Sequence, residues 1–137
     1  IKPIETTGEL VKIIVDSIPK KFQHDGHPAK RTFQAIRIEV NGELDGLKDC
    51  IYGMVKRLKK GGRLAVITFH SLEDRIVKQC FKDLETACVC DKRLPMCVCG
   101  RKQIIETITK KPLVASEKEA RENPRSKPAK LRIAEKL

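Results

Sequence analysis

The feature that most constrains the fold is a continuous apolar run that follows a pair of glycines. Gly61-Gly62 forms a turn after a helical stretch, and the run over Leu64–Phe69 comes directly behind it. This run includes the β-branched residues Val66 and Ile67, which favour strands. An apolar run without polar alternation is typical of a strand buried on both faces of a parallel sheet. Helix, glycine turn and buried strand together predict an α/β fold.

Helices are predicted wherever apolar side chains recur at three- and four-residue steps. Thr6 and Glu9 have the spacing of a capping box, which marks the start of the first helix. Ser71 directly precedes another helical pattern and is predicted to be its N-cap. The predicted helices cover about 7–17, 29–41, 43–59 and 71–84, and a short one begins near Ser116.

The strands are too few for a complete α/β sheet. Beside the apolar run, the segments at 103–109 and 129–134 alternate well enough to be strands, but both are more polar. A strand buried on both faces needs neighbours on either side, and these two segments cannot supply all of them. The sequence also begins at Ile1 and runs directly into a helix start. We therefore expect a chain cut in mid-protein, whose sheet is completed by segments that precede Ile1.

The charge of the chain favours a polyanionic partner. Lys and Arg number 29 against 18 Asp and Glu, which gives a formal charge of +11. A merely solvated basic surface is the alternative. The aromatic residues are only four Phe and one Tyr, which disfavours an aromatic base-stacking platform of the RNA-recognition or cold-shock type. No apolar run approaches the roughly 20 residues of a membrane span, so we expect a cytoplasmic protein.

Four motifs carry a family resemblance. RTFQAIRIEVN covers 31–41 and GGRLAVITFHSLEDRIVK covers 61–78, while NPRS at 123–126 and AKLR at 129–132 lie near the end. In this order and spacing they resemble the bacterial family of S-adenosylmethionine-dependent small-subunit ribosomal-RNA cytosine-N4 methyltransferases. The resemblance runs from about Thr6 to the last residue and corresponds to the C-terminal half of that family. It is specific, because no generic fold requires FHSLEDR after a strand.

The resemblance implies a fold and a division into domains. The fold is the C-terminal part of a Rossmann-like class I methyltransferase sheet, incomplete when it stands alone. Leu64–Phe69 is its implied fifth strand, and the two later strands form an antiparallel pair at the sheet edge. Residues 1–22 are implied to be the last part of a helical insert domain that binds substrate, and 23–28 are the connecting loop. Residues 29–137 are the C-terminal part of the methyltransferase domain and include a cysteine-rich loop at 85–100.

The resemblance also implies S-adenosylmethionine as cofactor, bound by a part of the family's chain that precedes this segment. Gly61-Gly62 comes before a strand, whereas a nucleotide-binding glycine loop follows one. No residue here is therefore predicted to bind the cofactor, and this chain alone is expected to be inactive.

The implied function is N4-methylation of a cytidine in small-subunit (16S) ribosomal RNA. The expected partner is that RNA or the small ribosomal subunit, and neither a membrane nor DNA. The alternative is a stand-alone basic RNA-binding or ribosome-associated module without catalysis.

Two residues follow the apolar strand at its carboxyl end, where open α/β sheets place their ligands. His70 and Ser71 are predicted to contact the target cytosine or a neighbouring phosphate. The alternative is an N-capping Ser71 beside a packed His70. No third orienting group at a suitable spacing completes a nucleophilic triad with them, so no catalytic residue is predicted.

Basic residues of the motifs are candidates for phosphate contacts. Arg presents a planar fork of N–H groups to phosphate oxygens, and Lys presents a point charge. For each residue the alternative is a solvated charge or an ion-pair partner. The candidates are Arg31, Arg37, Arg75, Arg125, Lys130 and Arg132.

Two Cys-x-Cys pairs crowd into one short segment. Cys88 with Cys90, and Cys97 with Cys99, could supply four thiolates to a tetrahedral structural zinc site. The spacing is tighter than the usual Cys-x-x-Cys knuckle, and the family that the chain resembles has no recognised metal requirement. Reduced thiols packed in a loop, or a disulfide formed during handling, are the alternatives.

Overall fold

A computed structural model describes residues 2–23, 26–91, 93 and 96–137. Parts of three predicted regions lie outside the described residues: Ile1 of the insert, His24 and Asp25 of the connecting loop, and Lys92, Leu94 and Pro95 of the cysteine-rich loop. The chain forms two compact units, 1–43 and 44–137, which are taken in turn. The predicted domain boundary at 23–28 stays a prediction.

The first unit is helical. It contains α1 (Thr7–Ser17), a 3₁₀ turn (Lys20–Phe22) and α2 (Lys30–Asn41). The predicted capping box of α1 is confirmed, since the Glu9 N–H donates to Thr6 Oγ1 at 3.2 Å and the Thr6 N–H donates to the Glu9 carboxylate at 3.2 Å. The α2 helix ends at Gly42, whose φ of 59° lies in the left-handed region that glycine adopts without strain.

The second unit combines helices and strands. The helix predicted from residue 43 begins four residues later, because Gly46 has a φ of 69° and cannot belong to a right-handed helix. Among the described residues, no helix is both long and apolar enough to span a membrane. The elements of this unit are α3 (Leu47–Arg57), β1 (Arg63–Thr68), α4 (Ser71–Glu85), β2 (Ile105–Thr107), β3 (Leu113–Val114), α5 (Glu117–Glu122), the 3₁₀ turn Pro124–Ser126 and β4 (Lys130–Lys136).

The strands form one sheet built around β4. The order is β1-β4-β2, β3 pairs with β4 as well, and every pairing is antiparallel. Since β1 and β2 both run against β4, they run in the same direction. Leu64 lies opposite Ala134 and Thr68 lies opposite Lys130. The predicted antiparallel pair of the two later strands is confirmed, as β2 with β4.

The prediction that β1 is buried on both faces of a parallel sheet is wrong for this chain. Among the described residues, β1 pairs with β4 alone, and that pairing is antiparallel. One face is closed, with Leu64 8% and Thr68 4% exposed, but Ile67 on the other face is 60% exposed. Phe69, directly after the strand, is 56% exposed. The physical reason is that no described segment covers the second face or pairs with the second edge.

The core lies between the closed face of the sheet and two helices. The largest fully buried side chains come from α3, α4 and β2, and burying each of them contributes about 1.5–3 kcal/mol. Leu64 of β1 and Ala134 of β4 complete the sheet side of this core. The fully buried large side chains are Phe81, Ile51, Ile105 and Val77.

A buried ion pair joins α4 to the central strand. The Arg132 guanidinium donates from Nε to Asp74 Oδ1 at 2.7 Å and from Nη2 to Oδ2 at 3.1 Å. Both residues are buried, and Lys130 Nζ lies 3.6 Å from Asp74 Oδ2. The hydrogen bonds from Arg132 hold the pKa of the Asp74 carboxyl below its ordinary value of 3.8.

Changing Arg132→Met is expected to destabilise the protein strongly at neutral pH. The buried Asp74 carboxylate would lose both of its hydrogen bonds to Arg132 and keep only the longer contact to Lys130 Nζ at 3.6 Å. Removing one partner of a buried ion pair costs about 3–5 kcal/mol, and the contact to Lys130 should hold the loss toward the lower end of this range. Denaturant unfolding measures this difference. The matched control is Arg121→Met, because the Arg121–Glu117 pair is exposed, at 4.0 Å. Its removal should change the free energy of unfolding by less than about 1 kcal/mol.

The sign of the pH dependence follows from the lowered pKa of Asp74. Its stabilising contribution is fully present above the ordinary pKa of 3.8 and is lost as the pH falls through the folded pKa. The gap in unfolding free energy between wild type and Arg132→Met should therefore narrow in acid. If the difference in unfolding free energy stayed constant as Asp74 is protonated, the stabilising role assigned to the Asp74–Arg132 pair would be wrong.

Candidate functional site

The N-terminus of α4 is capped by His70 rather than by Ser71. The Glu73 N–H donates to His70 Nδ1 at 3.3 Å, and the Glu73 carboxylate accepts from the His70 N–H at 3.1 Å. The prediction of Ser71 as N-cap is wrong, because His70 has the extended backbone of a cap (φ −142°, ψ 165°) and Ser71 is the first helical residue. In this cap His70 Nδ1 is the hydrogen-bond acceptor.

This cap determines which side-chain atoms of His70 and Ser71 are accessible to a ligand. The side chain of His70 is only 8% exposed, and its Nε2 lies 3.4 Å from Glu73 Oε1. Ser71 is exposed in the first turn of the helix. The structure therefore favours a structural role for His70 and leaves the Ser71 hydroxyl accessible. Base contact by either residue stays a prediction.

The carboxyl end of β1 lies beside the start of β4. Lys130 is opposite Thr68, the last residue of β1, and only two residues separate Thr68 from Ser71. The 3₁₀ turn Pro124–Ser126 leads into β4 and carries Arg125, which is exposed. The fold thus brings Ser71, Arg125 and Lys130 to one end of the sheet. The exposed Ser71 hydroxyl and the exposed Arg125 guanidinium can bind phosphate. Lys130 is half-buried and its Nζ lies 3.6 Å from Asp74 Oδ2, so it is shared with that carboxylate.

Arg132 does not share this exposure. Its side chain is 7% exposed, and its guanidinium is bonded to Asp74. This position favours a structural role over the phosphate contact that the sequence suggested. The sequence could not separate Arg132 from the other basic candidates, because Asp74 is 58 residues away along the chain.

In the first unit, Arg31 lines a basic cleft of about 660 Å³. Lys21 and Lys30 line it too, as does Phe22, which is 69% exposed. Lys21 Nζ lies 5.0 Å from the centroid of the Phe22 ring. Cations beside an exposed aromatic ring can bind a phosphate backbone and stack a base. Lys21 and Phe22 were not predicted as site residues, although a basic residue next to an aromatic one directly after α1 was a usable signal.

The four cysteines of the two Cys-x-Cys pairs come together as predicted. Their Sγ atoms all lie within 4.8 Å of one another. Cys97 Sγ is 3.5 Å from that of Cys88 and 3.4 Å from that of Cys99. The other two cysteines lie elsewhere, Cys80 in the core and Cys50 exposed on α3.

A polar network anchors the base of the cysteine-rich loop. Arg101 Nη2 donates to Asp83 Oδ1 at 2.6 Å, and the Tyr52 hydroxyl donates to the other oxygen of the same carboxylate. Burial and the bond to Asp83 raise the pKa of Tyr52 to about 12. The three residues lie on α3, α4 and the loop, and no sequence motif links them.

Sequence comparison assigns the chain to a family of methylases. The profile of the MraW methylase family matches residues 1–137, so the chain belongs to that family. It is 61% identical over 135 residues to proteins named ribosomal RNA small subunit methyltransferase H from Clostridium botulinum, among them those of strains Hall, ATCC 19397 and Okra. The family resemblance of the motifs is thereby confirmed.

These relatives are much longer than this chain. The match covers 98% of the chain but 44% of each relative. The chain therefore spans less than half the length of the curated relatives that it matches.

Changing His70→Ala should cost about 1 kcal/mol of stability, because the Glu73 N–H loses its acceptor. His70→Asn supplies a side-chain oxygen at the same place and should keep most of the stability. Ser71→Ala is the control and should change stability by less than about 0.5 kcal/mol. Thermal and denaturant unfolding measure the three variants. A Ser71→Ala variant as unstable as His70→Ala would contradict the capping assignment.

Proposed function

We propose that the complete protein transfers a methyl group from S-adenosylmethionine to the N4 amine of a cytidine in small-subunit (16S) ribosomal RNA. The observation that carries this proposal is the match of the whole chain to the MraW methylase family, together with 61% identity to proteins named as small-subunit ribosomal RNA methyltransferases. We propose the cytidine, its N4 atom and S-adenosylmethionine because the motifs, FHSLEDR above all, resemble those of the cytosine-N4 methyltransferases. The proposed place of action is the cytoplasm.

We infer that the sheet is completed by chain that precedes this segment. Among the described residues, one edge of β1 is unpaired, and a further strand would pair with it. The exposed side chains of Ile67 and Phe69 are apolar surface that added helices would cover. In this chain β4 runs antiparallel between two strands of common direction. The antiparallel pair of β2 with β4 supports the place at the edge of a class I methyltransferase sheet that the family resemblance implies.

The cofactor is proposed to bind outside this chain. The single glycine pair of the sequence, Gly61-Gly62, precedes β1 and serves as a turn: the Gly61 N–H donates to the Lys136 carbonyl at 2.8 Å, and the Lys136 N–H donates to the Gly62 carbonyl at 2.8 Å. These groups bind the end of β4 rather than face a ligand. The residues present therefore do not fit a cofactor loop, and this chain alone is proposed to be inactive.

The proposed contribution of this chain is to bind and orient the RNA. Each unit offers a basic surface, namely the cleft with Lys21, Lys30 and Arg31 in the first and the sheet end with Arg125 and Lys130 in the second. Correct orientation of the reacting groups is a large part of catalysis when two bound substrates react. The ribosomal RNA or the small subunit is the proposed partner.

A stand-alone RNA-binding module is the second candidate. The cleft of the first unit favours it, because cations beside the exposed Phe22 can bind RNA without any cofactor. This candidate predicts RNA binding with no methyl transfer at any chain length.

Methyl incorporation tests the proposal directly. The protein extended at its amino end to the length of its relatives should transfer labelled methyl groups from S-adenosylmethionine to small ribosomal subunits, and the 137-residue chain should not. Nucleoside analysis of the digested RNA should find N4-methylcytidine. Methylation at another atom would overturn the proposed chemistry, and activity of the short chain would overturn the missing-half interpretation. Tight RNA binding by an inactive extended protein would favour the stand-alone module.

Changing Arg31→Ala in the extended protein should weaken RNA binding and reduce its salt dependence. Each lost phosphate contact lowers the slope of log affinity against log salt concentration by about one. Filter binding at several salt concentrations measures this slope. The matched control is Arg37→Ala on the same helix, because Arg37 is paired with Glu43 at 2.8 Å. Equal slopes for Arg31→Ala and wild type would exclude a phosphate contact by Arg31.

A further inference from the structure

The loop between α4 and β2 needs something other than apolar packing to hold its shape. It connects Glu85 to Ile105 without a helix or strand among its described residues. Loops of this length without structure of their own are uncommon in compact domains. Its apolar side chains do not anchor it, since Val89 is 60% exposed and Met96 and Val98 are each 72% exposed.

The base of this loop is already fixed. The Ile104 N–H donates to the Leu84 carbonyl at 2.9 Å, and Arg101 is bonded to Asp83. These contacts hold the loop where it leaves α4 and where it enters β2. Beyond them, the feature that joins its two arms is the cysteine cluster, with Cys88 and Cys90 on one arm and Cys97 and Cys99 on the other.

All four Sγ atoms lie within 4.8 Å of one another, and four of the six distances between them are close to those of a tetrahedral zinc site. The Cys97 Sγ atom is 3.5 Å from that of Cys88, 3.9 Å from that of Cys90 and 3.4 Å from that of Cys99. Cys88 Sγ lies 3.8 Å from Cys99 Sγ. Four thiolates around zinc, with Zn–S bonds of about 2.3 Å, place their sulfurs roughly 3.8 Å apart. All four cysteines are free thiols, so each can bind a metal.

We propose that Cys88, Cys90, Cys97 and Cys99 hold one zinc ion in a closed structural site. Soft thiolate ligands select zinc over the hard cations Mg²⁺ and Ca²⁺, and four of them leave no open position for a catalytic water. The Cys90 N–H donates to Cys88 Sγ at 3.4 Å, which helps to stabilise a thiolate at that position. The ion clamps the two arms of the loop together. This proposal does not depend on the proposed methyltransferase function.

Metal analysis of the full chain tests the proposal, with protein purified under reducing conditions and without chelators. Wild type should contain about one zinc per chain, and the double variant Cys97→Ser/Cys99→Ser little or none. Cys50→Ser is the matched control, because Cys50 is an exposed cysteine on α3 outside the cluster, and it should keep the zinc. A chelator should lower the thermal stability of wild type and Cys50→Ser but not that of the double variant.

A second measurement uses wild-type protein, so its result does not depend on whether the double variant folds. Wild-type protein stripped of metal and titrated with cobalt(II) should develop the visible absorption bands of a tetrahedral cobalt thiolate centre, and zinc should abolish them. Three results would overturn the proposal: metal-free protein that takes up no cobalt, equal loss of zinc in Cys50→Ser, or an intact mass from fresh reducing lysate that shows a disulfide within the cluster.

Discussion

The ion pair between Asp74 and Arg132 is the contact on which the geometry of the second unit depends. It links the helix that follows β1 to the central strand of the sheet, and it is buried, so neither charge can turn to solvent instead. Ser71 lies one turn before Asp74 and Lys130 two residues before Arg132. The pair therefore sets how the start of α4 meets the start of β4, where the exposed polar groups gather.

The run over Leu64–Phe69 was predicted to be buried on both faces because it is apolar on both sides of β1, but the structure covers only one of them. Leu64 and Thr68 are buried against the described core, whereas Ile67 and Phe69 are more than half exposed. Side chains of this size are costly to leave in water. In the described residues nothing covers these two side chains, which is the basis for the proposal that further chain completes the sheet.

Chemically similar residues acquired different roles from their surroundings. Arg31 lines an open cleft, while Arg132 is closed off by a carboxylate from a distant helix. Among the cysteines, Cys80 packs in the core as a small apolar residue, and its burial raises the pKa of its thiol. Cys88 and Cys97 instead meet at the surface. Composition alone does not separate these cases, because each depends on which groups the fold places nearby.

The features that local chemistry controls could be predicted from the amino-acid sequence. These features depend on residues a few positions apart, so each could be found from spacing. They are the cap at Thr6, the turn at Gly61-Gly62, the helix periodicities and the family motifs. The role of His70 as the cap of α4 could not be predicted in this way, because it depends on the extended backbone of His70 where the chain leaves the sheet. Tertiary structure likewise buried Arg132, because its partner lies 58 residues away. The extent of burial and the choice of ion-pair partner are set by long-range packing, which no local pattern encodes.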